Sequence, residues 1–167
     1  MESTMRWVGT WAASPAPSEA GVGFNNHTLR MNPRVSIGGD TLRVRVSNAY
    51  GNARLEIGAA AIGIRDKGAA IVPGTERILT FGGCAATTIP AGALAMSDSV
   101  SLDVKPLADL AVTLYLPGEI LPAFQITGRY ARQTNYISPP GNFTGAVEMP
   151  VLKITGFPSE AMCSTRG

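Results

Sequence analysis

Glycine and proline break this sequence so often, 19 and 12 times in 167 residues, that a long helix has no uninterrupted stretch in which to form. Between the breaks lie short runs of alternating apolar and polar residues, the spacing that sends successive side chains to opposite faces of a strand. Leu42-Arg43-Val44-Arg45-Val46-Ser47 puts Leu42, Val44 and Val46 on one face and both arginines on the other. Val100-Ser101-Leu102-Asp103-Val104-Lys105 repeats the pattern. Ala111-Val112-Thr113-Leu114-Tyr115-Leu116 is apolar on both faces, as a central strand between two layers would be. The alanine-rich run 57–64 is interrupted by Gly58 and Gly63 and reads as strand rather than helix. Nine or ten strands are predicted, near 6–12, 28–37, 41–48, 54–64, 77–81, 86–90, 99–104, 110–116, 123–128 and 132–137.

Turn chemistry separates these runs. Gly38-Gly39-Asp40 predicts a hairpin between 34–37 and 41–47. Asn48-Ala49-Tyr50-Gly51-Asn52, Pro73-Gly74 and Pro117-Gly118 mark further turns. Many short strands joined by such turns define an all-β chain, a single β-sandwich of jelly-roll type. The sandwich is expected over residues 1–150, with 151–167 a truncated or divergent tail. Within that tail Val151-Leu152-Lys153-Ile154 has the makings of one more strand, whereas 156–167 shows no period.

Composition narrows the function classes. A chain of this length buries roughly two-thirds of its unfolded surface. Its charged fraction of 16 % lies well below the usual ~25 %, which argues against disorder and for a surface partly covered by a partner. Lysine and arginine number 14 against 12 acids, a net charge of +2, and they are scattered, so no nucleic-acid footprint exists. No apolar stretch approaches the ~18 residues of a membrane span. Residues 1–6 lack the apolar core of a signal peptide, and localisation stays open. Cys84 and Cys163 are too few for a disulfide framework or a zinc set. They are either two free thiols or one bridge tying the tail to the body.

Several segments resemble the N-terminal β-domain of bacterial SGNH/GDSL-type ester hydrolases. They are Trp7-Val8-Gly9-Thr10-Trp11-Ala12-Ala13-Ser14-Pro15, Thr28-Leu29-Arg30-Met31, Ser36-Ile37-Gly38-Gly39-Asp40 and Val46-Ser47-Asn48-Ala49-Tyr50-Gly51. The run 65–74, Thr80-Phe81-Gly82-Gly83, Ile89-Pro90-Ala91-Gly92-Ala93, Leu107-Ala108-Asp109-Leu110-Ala111-Val112 and Gln133-Thr134-Asn135-Tyr136-Ile137-Ser138-Pro139-Pro140-Gly141 follow in the same order. The resemblance covers about residues 6–151. It implies an accessory domain whose partner is a catalytic SGNH domain, in a family whose members are often exported. That later domain carries the Gly-Asp-Ser nucleophile block, the oxyanion-hole Gly and Asn, and the Asp-x-x-His pair. None of these occurs here: Gly39-Asp40-Thr41 and Ser97-Asp98-Ser99 are the nearest strings, and Phe24 stands three residues before the single histidine. No catalytic residue of the family therefore maps onto this chain.

Chemistry independent of the family has few places to reside. Serine ester hydrolysis needs a base and oxyanion donors, and His27 is the only histidine. The candidate constellation is His27 with Ser14 and Asp40, set against a plain turn histidine. Neither S-x-x-K nor G-x-S-x-G is present. No metal or other cofactor is expected, the nearest alternative being calcium at Asp40 or Asp66. Gly82-Gly83 lacks the following helix of a phosphate cradle. Trp7, Trp11 and Tyr136, with Tyr130, are candidates for a ligand-binding platform or for core; Trp7 and Trp11, four apart, are predicted to share a strand face. Arg30, Arg43, Arg45, Arg129 and Arg132 read as a solvated face or as an interface with the catalytic domain. Three functions compete: an accessory β-domain, able to self-associate through apolar surface; a small esterase acting through His27 or a Cys84 thiolate; and a carbohydrate-binding module. An ester or a carbohydrate is the corresponding ligand.

Overall fold

The computed structural model describes residues 6–12, 23–120, 134–155 and 161–166, and strands are the regular element throughout them. In chain order these are β1 (Trp7–Trp11), β2 (Phe24–Met31), β3 (Gly39–Ser47), β4 (Leu55–Ile57), β5 (Ala59–Ile64), β6 (Arg77–Leu79) and β7 (Thr87–Ile89). They continue with β8 (Leu94–Met96), β9 (Val100–Val104), β10 (Leu110–Ile120), β11 (Asn135–Pro140), β12 (Lys153–Thr155) and β13 (Ala161–Arg166). One sheet runs β1-β13-β3, with β8 and β9 pairing successive stretches of the remaining edge of β3. The other runs β12-β11-β2-β10-β5-β6, and β4 and β7 form a small ladder of their own. All pairings are antiparallel. This is the all-β sandwich expected from the alternation.

The alternating residues meet where their period places them. Leu42, Val44 and Val46 of the first sheet are at most 3 % exposed and join one core with Met31, Val112, Ile62 and Leu110 of the second. As predicted, β10 is central, flanked by β2 and β5. Its outward residues Ala111 and Thr113 are buried as deeply as its inward ones. The reason is a third layer. Loops around 65–75 and 141–149 lie over the second sheet, joined by Ile71 N–H to Val147 O at 3.0 Å and by pairing of Ala70 with Glu148. Gly63 admits that layer, since a Cβ there would come within 3.3 Å of Ile71 Cδ1.

Arg30 sits under this layer, fully buried. Its Nε donates to Thr113 Oγ1, and its terminal nitrogens donate to the carbonyls of Ala69, Ala146 and Val147. A guanidinium taken out of water must be hydrogen-bonded throughout, so one side chain fastens both loops to β2. Burial lowers its pKa to about 10. The expectation that Arg30 belongs to a solvated or docking face is thus corrected: its strand position faces the covered side of the sheet.

Two other expectations change. Gly38-Gly39-Asp40 does not close a hairpin, because residues 32–38 carry the chain from β2 in one sheet to β3 in the other. Arg34 pairs with Asp109, and Ser36 and Ile37 bond Thr10. Gly38 passes so close to the turn after β9 that a Cβ would strike Val104 O and lie 2.9 Å from Pro106 N. Residues 161–166, without a visible period, form β13 between β1 and β3. Backbone pairing on both edges holds this strand, which side-chain alternation does not reveal.

Serines occupy two breaks in the ladders. Between β8 and β9, Ser97 Oγ accepts the Val44 N–H at 2.9 Å. Before Pro139 and Pro140, which have no N–H to contribute, Ser138 Oγ accepts the buried Thr28 N–H at 2.9 Å.

Candidate functional site

His27 lies on β2 across from Leu116 and Pro140. Asn26 before it has φ 55°, a left-handed conformation that asparagine tolerates. This bend lets the Asn25 N–H donate to His27 Nδ1 at 3.0 Å, while the ring meets Phe24 edge-on at 6.4 Å. Beside it the Tyr115 hydroxyl donates to Asn26 Oδ1 at 2.7 Å, in the space kept by Gly58, whose Cβ would fall 2.8 Å from the Tyr115 ring.

The predicted partners of His27 are not assembled around it. Asp40 is exposed and accepts a bond from Thr41 Oγ1 at 2.8 Å. It belongs to the other sheet, reached only after β2 has run about 13 Å past His27 and crossed over. Ser14 lies outside the described residues, as do Tyr130, Arg129 and Arg132. Among the described residues no serine hydroxyl bonds His27, and the buried hydroxyls nearest along the strands serve the backbone. Thr28 Oγ1 donates to Gly141 O and accepts from Phe143 N, and Ser138 Oγ donates to Pro139 O.

The aromatic candidates separate. A β-bulge places Gly9 and Trp11, two residues apart, against the adjacent residues Ser164 and Cys163 of β13. Thr10 is the extra residue, drawn aside because its hydroxyl donates to Ile37 O at 2.7 Å and accepts Ile37 N at 3.0 Å. The bulge puts Trp7 and Trp11 on opposite faces, which corrects the shared-face expectation. Trp11 packs against the core, whereas Trp7 lies on the outer face with the Arg43 guanidinium 4.2 Å from its ring centroid. Tyr136 is buried on β11, paired with Arg30 and Ile154 under the loop layer.

Gly82-Gly83, set aside as a phosphate cradle for want of a following helix, does cradle an anion without one. Gly82 and Gly83, at φ 60° and 81°, form a two-residue hairpin turn closed by Phe81 and Cys84. Their N–H groups point at one carboxylate, that of Asp98, at 3.1 and 2.7 Å, and the Thr80 hydroxyl adds a third bond at 2.6 Å. The Thr80 bond, then the glycine amides, hold the Asp98 pKa below the usual carboxylate value. The cradle is thus filled by the chain itself. Ser97-Asp98-Ser99 contained the signal, but it was weighed only as a nucleophile string. Cys84, at the same hairpin, is exposed and free.

Among the described residues no three His, Cys, Asp or Glu side chains gather as a metal would require, around Asp40 or Asp66 included. No described helix is long and apolar enough to cross a membrane. No protein-family model matches the chain, and no curated protein matches it in sequence.

Proposed function

We propose that this chain is a non-catalytic accessory β-domain of the kind that precedes the catalytic domain in SGNH/GDSL-type ester hydrolases. The observation that carries this reading is the hydrogen bonding of its single histidine. In a serine hydrolase the base donates from Nδ1 to an acid and accepts the serine proton at Nε2. His27 Nδ1 instead accepts the Asn25 N–H at 3.0 Å, so this nitrogen is taken up by the backbone of its own bend and does not donate to an acid. The segments that carry the family resemblance support the reading in a second way, because their polar residues act on the backbone. Asn48 Nδ2 donates to the carbonyls of Ala53, Ile89 and Pro90, Ser138 repairs a ladder, and Gly38 permits a close crossing.

The test is hydrolysis of a short-chain aryl ester by the purified chain, beside His27→Ala and Cys84→Ser. The expected result is a rate equal to the buffer blank for all three. Turnover abolished by His27→Ala would overturn the accessory reading in favour of a small esterase, and loss confined to Cys84→Ser would do so in favour of a thiolate. Polysaccharide binding without turnover would instead favour a carbohydrate-binding module.

A further inference from the structure

We draw no further inference here: the strongest candidate, the exposed apolar surface patch of Val151, Leu152 and Ile154 along the β12 edge of the second sheet, carries nothing because nothing in the structure shows what covers it.

Discussion

Replacing Gly38 by alanine tests how closely the crossover between the sheets approaches the turn after β9. Gly38 is absent from the positive-φ positions of the chain, so its backbone is one that alanine adopts, and relief of unfolded-state entropy alone would stabilise by ~0.4–1 kcal/mol. Space dictates otherwise. The added Cβ would overlap Val104 O and lie 2.9 Å from Pro106 N and 3.0 Å from Lys105 C. All three are main-chain atoms, so no rotamer change relieves the clash. The crossover must instead shift by tenths of an ångström to an ångström, dragging the Gly39–Val104 pairing with it. Such overpacking costs ~1–3 kcal/mol, which in a domain of this size lowers the melting temperature by roughly 2–10 °C. Gly145→Ala is the internal control. Nothing lies within 4 Å of its Cβ position and its φ is ordinary, so that variant should be neutral or more stable by up to ~1 kcal/mol. Urea midpoints at constant m-value measure both. A Gly38→Ala protein as stable as the parent, or a pair shifting in the same direction, would refute the close-approach argument.

Arg30→Met strands the Ala69 and Ala146 carbonyls and the Thr113 hydroxyl at ~1–3 kcal/mol each, against ~3 kcal/mol recovered by not burying the charge. A net loss of about 3 kcal/mol is expected in urea unfolding, with amide exchange quickening first in 68–71 and 143–149. Ser138→Ala leaves the buried Thr28 N–H unmet and should cost ~1–3 kcal/mol in the same assay. Asp98 has a folded pKa below its unfolded one, so its contribution is present above about pH 4 and is lost as pH falls through the folded value. Asp98→Asn should therefore be less stable than the parent at pH 7 and converge with it in acid, as read from urea midpoints across pH. Cys84, exposed and free, should react fully with a thiol reagent in the native protein.

The layered β architecture was legible because burial follows period two, and Leu42, Val44 and Val46 obey it without exception. Local pattern says nothing of which strands pair, and the errors follow from that. Gly38-Gly39-Asp40 has the composition of a hairpin, yet glycine serves there for contact with a segment some sixty-five residues later in the chain. β13 has no side-chain alternation to betray it, and its place is decided by the strands on either side. Arg30 occupies an outward position, which reads as solvent until the loops that cover it are known. At the candidate site, the isolation of His27 from Asp40 follows from sheet assignment and not from spacing, and the divergence of Trp7 from Trp11 follows from one extra residue, Thr10.

The position of β13 has a consequence for the order in which the molecule assembles. Trp7 finds its ladder partner only at Arg166, so β1 has no sheet to join until that late strand is in place. The second sheet has no such dependence for β2, β10, β5 and β6, whose pairings close within residues 24–120. Loop closure over the longest separations should come last, so the β2, β10, β5 and β6 pairings mature before the 141–149 loop that Arg30 fastens from 116 residues away. Until β13 inserts, β3 offers an unpaired edge bearing alternating valines, the stage at which an incomplete molecule is most prone to pair with another.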